Sequence, residues 1–295
     1  MTLIPYPVPC GDTTAHIYGH PIFSGRPATS VLFLLHGYPA NVQHMTPVVN
    51  RIFSILANKS RGLDGNPCTN LVIVTLESNE KAKPLMDDDP RGEAEYVYKA
   101  QGIVISLCGY SSDSPSLDTF TERLASAVSS LINLLPSILH PNTPEVVNTW
   151  AVTGLGLGAH AAWMVMDRDP RLQACIPILG SPDFLDIATS RSLTHFPLLS
   201  SCMTHETREY ILKHDPISQP TSPERPKPFL NKQILAIVGA QDSMVPILPT
   251  RQFLNRIDVG PLGTKKLVIQ EGVGHQCTQE MIVQMAEFVW DVALA

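Results

Sequence analysis

Residues 152–160 read VTGLGLGAH, placed between an apolar run and a stretch with helical spacing, and they admit two incompatible readings. Gly154-x-Gly156-x-x-Ala159 has the form of a dinucleotide-binding turn, in which glycines let the backbone approach a pyrophosphate. Gly154-x-Gly156-x-Gly158 has the form of the sharp strand-to-helix turn G-x-S-x-G, with glycine where the serine would stand. The first reading gives the chain a nicotinamide or flavin cofactor. The second gives it a pocket built for acyl chemistry without a serine to perform it.

The surroundings of the turn set the fold class. Compact apolar runs recur along the chain: SVLFLLHG, NLVIVTLE, TWAVTG, QACIPILG, KQILAIVG and KKLVIQEG. Each ends in glycine or a polar residue, as strands of a parallel sheet do when helices cover both faces. Helical spacing between them predicts helices near 45–58, 116–139, 157–168, 247–256 and 277–293. In the last, Met281, Met285, Phe288, Val289 and Val292 fall on one face. The expected fold is α/β and doubly wound, with a mostly parallel sheet. One segment breaks the alternation. From Asp183 to Leu230 no strong strand is present, and the segment closes in the proline-rich HDPISQPTSPERPKPFL. This divides the chain into a core of residues 1–182 and 231–295 and a lid or cap insertion of residues 183–230.

Composition narrows the partners. At 295 residues and 44% hydrophobic content the chain can bury a large core. Its net charge of −6 includes no basic block able to track phosphates, which sets aside nucleic acid and anionic membranes. The expected ligand is a small molecule, and a homodimer is an allowed assembly. Six cysteines (Cys10, Cys68, Cys108, Cys175, Cys202, Cys277) form no C-x-x-C pair, so free thiols in a reducing compartment are expected. The start of the sequence lacks a signal-peptide pattern, and no apolar run approaches the roughly 18 residues of a membrane span. These features predict a cytoplasmic protein. Asp87, Asp88 and Asp89 sit in a Pro/Gly-flanked loop, read as a solvated turn, and no metal is expected.

The cofactor reading of the turn is weak. It needs an acidic residue about 20 positions on, whereas Asp183 lies too far away, and the fingerprint normally opens its unit instead of following two earlier strands. No cofactor is expected. The other reading makes demands elsewhere that the chain meets. A loop with His36-Gly37-Tyr38-Pro39 follows an early strand, Asp242 follows a later one in ILAIVGAQDSMVP, and His275 follows the last in LVIQEGVGHQCTQEM. That is the order loop, elbow, acid, histidine.

On these residues the chain resembles the α/β-hydrolase superfamily over nearly its whole length. VTGLGLGAHAAW and DPRLQACIPILGSPDF are similar to dienelactone-hydrolase and prolyl-oligopeptidase-related esterases of fungal or bacterial type, whose elbow reads G-x-S-x-G-G-H. The resemblance implies His275 as general base, Asp242 as its orienter, the Tyr38 and Leu157 amides as an oxyanion hole, and a nucleophile at position 156. Two departures stand at the elbow: Gly156 has no side chain, and Ala159 replaces the second glycine. Where related esterases carry an arginine- and histidine-bearing loop, this chain has Glu77, Ser78, Asn79 and Glu80.

Glycine cannot attack a carbonyl, and loss of a nucleophile removes several orders of magnitude of rate. Cys277 and Thr153 are poor substitutes by position. His160 is read as packing and bonding locally, and His36 as bracing its loop. Three readings of function follow. The first is a non-hydrolytic enzyme of specialised metabolism, of cyclase, isomerase or lyase type, acting on a hydrophobic carbonyl compound through His275 and Asp242. The second is a catalytically inactive ligand-binding pseudohydrolase. The third is an esterase or thioesterase inactivated at position 156.

Overall fold

The computed structural model describes residues 3–11, 13–37, 42–62, 67–78, 117–141, 147–186, 205–219 and 227–295. Its central strand explains why the apolar runs lack alternation. All seven residues of β3 (Thr29–Leu35) are buried. Val31, Phe33 and Leu35 join one apolar cluster, while Leu32 and Leu34 join the other. Successive side chains of a strand point to opposite faces, so a strand covered on both faces must be apolar at nearly every position.

Around β3 the remaining strands are β1 (Tyr6–Cys10), β2 (Thr13–Gly19), β4 (Asn70–Ser78), β5 (Val147–Leu155), β6 (Ala174–Ile178), β7 (Gln233–Gly239) and β8 (Thr264–Gln270). They form one eight-stranded sheet in the order β1-β2-β4-β3-β5-β6-β7-β8. From β4 to β8 every pairing is parallel. The β1–β2 and β2–β4 pairings are antiparallel. This N-terminal hairpin was not among the expected strands. In β1, Pro7 and Pro9 each lack a backbone donor, which only an edge strand tolerates.

The described helices are α1 (Val42–Arg61), α2 (Leu117–Leu139), α3 (Leu157–Arg168), α4 (His205–His214), α5 (Ile247–Arg256) and α6 (Gln279–Ala293). Leu124, Val128 and Leu131 of α2, Trp163 of α3 and Phe253 of α5 pack on one face of the sheet. Val49, Ile52 and Phe53 of α1, with Met281, Met285 and Val289 of α6, pack on the other. Helices on both faces of a mostly parallel sheet make the fold doubly wound, as expected. The five expected helices are present at nearly the expected bounds, and α4 lies inside the segment that interrupts the alternation. Among the described residues no helix is long and apolar enough to cross a membrane. Cys10, Cys68, Cys175 and Cys277 are free thiols, whereas Cys108, Cys202 and the Asp87–Asp89 run lie outside the described residues.

The start of α6 matters because it follows directly on the loop that carries His275. Thr278 is its N-cap, and its hydroxyl accepts a hydrogen bond from the Met281 amide at 3.2 Å. Removing such a cap costs about 1 kcal/mol. Thr278→Ala is therefore expected to lower the free energy of unfolding by about that amount in denaturant titration, with no change of fold.

Candidate active site

The turn between β5 and α3 is shaped by what its glycines lack. A Cβ on Gly154 would lie 2.2 Å from the Gly158 carbonyl, and one on Gly158 would lie 2.4 Å from the Leu35 carbonyl oxygen. Only hydrogen at these positions lets α3 start so close to β5 and β3. Gly156, between them, has φ 57° and ψ −115°, a backbone conformation that side chains rarely adopt. Its amide donates to the Ile178 carbonyl at 3.0 Å, which ties the turn to β6. The turn is thus the strained strand-to-helix elbow, and position 156 stands at its apex. Ala159 fits because its neighbour Gly180 is bare: a Cβ there would lie 2.4 Å from the Ala159 Cβ.

A Cβ built on Gly156 would meet one atom among the described residues within 4 Å, the Nε2 of His275 at 3.6 Å. His275 reaches this point through a second close approach. Gly239 ends β7 where a Cβ would lie 2.5 Å from the carbonyl oxygens of Val273 and Gly274, and the Gln241 amide donates to Val273 at 2.8 Å. The loops after β7 and β8 are therefore held together, and each carries one half of a polar pair. The His275 Nδ1 lies 2.8 Å from Asp242 Oδ2, with Asp242 1% and His275 24% exposed. An ionised carboxylate only accepts, so Nδ1 carries the hydrogen and, in the neutral ring, the Nε2 lone pair faces Gly156. The other Asp242 oxygen accepts from the Met244 and Val245 amides at 2.8 and 2.9 Å. Both carboxylate oxygens are anchored.

The loop after β3 passes beside the elbow. A Cβ on Gly37 would lie 2.8 Å from the Leu155 carbonyl oxygen and 3.7 Å from the Leu157 nitrogen. His36 is buried, its Nδ1 donates to the Gly37 carbonyl at 2.9 Å, and burial holds its pKa below the usual histidine value. It braces the loop as a neutral ring. Leu157 opens α3, where first-turn amides have no carbonyl of their own helix to bond. Tyr38, expected as the partner amide, lies outside the described residues.

The substitutes for a nucleophile fare poorly. Thr153 is fully buried and its hydroxyl donates to the Ile176 carbonyl at 2.6 Å. Burial pushes the Cys277 thiol up to about 11, so it carries almost no thiolate near neutrality. Glu77 bonds His16 of β2 at 2.9 Å, Ser78 ends β4, and Asn79 and Glu80 lie outside the described residues.

His160 bonds locally, as expected, with one partner the sequence did not reveal. Its Nδ1 donates to the Ser181 carbonyl at 2.7 Å, and its Nε2 lies 3.2 Å from Asp215, which is as buried as the ring itself. Asp215 also accepts from the Phe184 amide at 2.8 Å. It therefore ties the start of the interrupting segment, at Phe184, and the stretch around Asp215 itself to α3. Asp183, the acid nearest the requirement of the cofactor reading, caps a turn instead, accepting from the Asp186 amide at 2.8 Å.

This sheet order, with an elbow after β5, an acid after β7 and a histidine after β8, defines the α/β-hydrolase fold. No protein-family profile matches the chain, and no curated protein matches it significantly. Among solved structures it is similar to a Thermus thermophilus protein, at 13% identity over 99% of this chain and 98% of that one, with a TM-score of 0.61. An S-formylglutathione hydrolase from Agrobacterium tumefaciens is 14% identical over 97% and 96% of the two chains, with a TM-score of 0.58. A dienelactone hydrolase from Anabaena variabilis is 16% identical over 98% and 97%, with a TM-score of 0.51. At such identities the likeness is one of fold.

Proposed function

We propose that this chain is a non-hydrolytic enzyme, of cyclase, isomerase or lyase type, working on a hydrophobic carbonyl compound. The observation that carries this reading is the His275–Asp242 pair aimed at an elbow whose apex, Gly156, has no side chain. In it His275 moves a proton to or from the substrate, Asp242 holds the ring and its tautomer, and the Leu157 amide stabilises negative charge developing on the carbonyl oxygen. Residues 1–182 and 231–295 form the catalytic core, and residues 183–230 serve as a lid whose start, at Phe184, is tied through Asp215 to His160 of α3. No nucleophile is supplied by position 156, so no acyl-enzyme forms. Both Asp242 oxygens are engaged, which holds the acid and the His275 ring it bonds in place for proton transfer.

A fluorophosphonate probe tests this directly, since it labels an activated serine. The chain itself is expected to stay unlabelled and to release p-nitrophenol from short esters no faster than a heat-denatured control. Gly156→Ser is expected to gain slow labelling, because the new hydroxyl arrives beside His275 Nε2. A burst of p-nitrophenol from the unaltered chain would sink the reading.

A further inference from the structure

We infer that the hydroxyl missing from position 156 arrives with the substrate, so that the substrate class is a hydroxyacyl ester or thioester that closes on its own carbonyl to a lactone. This rests on the acid–base reading of His275 and Asp242. The first support is spatial. Among the described residues, its chain neighbours aside, a Cβ at Gly156 would meet only His275 Nε2, 3.6 Å away, and an oxygen one bond beyond that position comes within hydrogen-bonding reach of the ring. The second is the proton inventory. Nδ1–H is committed to Asp242, leaving Nε2 as an acceptor with an O–H donor as its natural complement.

The third support concerns which hydroxyl takes the place. A tethered hydroxyl held at attack distance reaches an effective concentration of about 10⁵ M or more, against roughly 55 M for bulk water. A serine side chain would occupy the position that such a hydroxyl needs. Its absence turns the elbow from a nucleophile into a seat for one. A carbonyl compound without its own hydroxyl would leave that seat to water, whose far lower effective concentration gives no cleavage above the rate in buffer.

The step balances without a cofactor. His275 Nε2 takes the proton from the substrate hydroxyl as the oxygen forms a bond to the carbonyl carbon. The π pair moves to the carbonyl oxygen beside the Leu157 amide. The tetrahedral adduct then collapses, the carbon–sulfur bond of a thioester breaks, and the imidazolium returns its proton to the departing sulfur. The products are a lactone and a thiol, with no net gain or loss of protons by the enzyme.

The experiment uses the whole chain with ω-hydroxyacyl N-acetylcysteamine thioesters of increasing length, each beside its matched acyl thioester lacking the hydroxyl. Thiol release is followed with a disulfide reagent, and lactone and free acid are separated by mass spectrometry. At least one hydroxyacyl thioester is expected to give lactone about 100-fold faster than buffer alone, while its deoxy partner remains intact. Gly156→Ala, which puts a methyl group into the seat, is expected to reduce lactone formation at least tenfold. Should that variant fold poorly, the paired substrates decide by themselves. Hydroxy acid as the main product, or equal cleavage of the deoxy partner, would identify water as the nucleophile and overturn the inference while leaving the acid–base reading intact. No thiol release from any hydroxyacyl thioester also overturns it. Lactone formation that persists in His275→Ala overturns the acid–base reading instead.

Discussion

Turnover by His275→Ala is expected to fall by about 10²–10⁴-fold, the usual worth of positioned general acid–base assistance, while ligand affinity changes only a few-fold. The asymmetry follows from the geometry. The ring presents one nitrogen to the space above Gly156 and the other to Asp242, so its removal deletes a proton carrier without opening the apolar core. Lactone formation measured beside calorimetric binding of the deoxyacyl thioester separates the two effects. Asp242→Asn is expected to lose as much or somewhat less, because the imidazole stays but an amide in place of the carboxylate no longer fixes which nitrogen bears the hydrogen. A binding protein would give the opposite pattern, with affinity altered and no turnover to lose. Full turnover in both variants would mean that proton transfer at His275 is not part of the rate-limiting step.

Most of what was legible in the sequence is what the fold buries. Strands β3 to β7 read as apolar runs because helices cover the middle of the sheet on both sides, whereas β8, an edge strand with no fully buried residue, read as a strand from Leu267, Val268 and Ile269 alone; α6 read as a helix because Met281, Met285 and Val289 repeat on its buried face. Strand β1 was hidden by Pro7 and Pro9, which argue against a strand anywhere except an edge. Helix α4 was hidden because its sequence, HETREYILKH, is mostly polar, with Ile211 buried and Leu212 left exposed. At the site, Asp242 and His275 could be found from their places after strands. What brings them together could not, since the contact is made by backbone: Gly239 lies against Val273 and Gly274, and spacing along the chain carries no trace of that approach. Asp215 was missed as the partner of His160 for a similar reason. It sits in a proline-rich run that reads as loop, and only the folded chain returns that run to α3.

The largest effect on folding is expected at the outer glycines of the elbow and not at its apex. A methyl group on Gly154 would stand 2.2 Å from the Gly158 carbonyl, and one on Gly158 would stand 2.4 and 2.6 Å from the carbonyl oxygens of Leu35 and His36. Those obstacles are backbone atoms of β3, of His36 just after it and of α3, which cannot turn aside as a side chain can. Relief requires the helix to move away from the central strands, and α3 is buried along almost its whole length, so its packing is lost with it. Gly158→Ala is therefore expected to lose about 3 kcal/mol or more, enough to leave most of a marginally stable domain unfolded or insoluble. At the apex a Cβ would meet, among the described residues, only His275 Nε2 at 3.6 Å, so Gly156→Ala bears backbone strain of about 1–3 kcal/mol and no clash with them. Gly19, at the end of β2 with no described residue within 4 Å of a built Cβ and no positive φ, supplies the control: Gly19→Ala is expected to be neutral or slightly stabilising. Thermal unfolding of the three variants side by side should rank them Gly19→Ala above Gly156→Ala above Gly158→Ala. A Gly158→Ala protein that melts with the unaltered chain would mean that α3 does not begin against β3, and the elbow, with everything argued from its apex, would have to be abandoned.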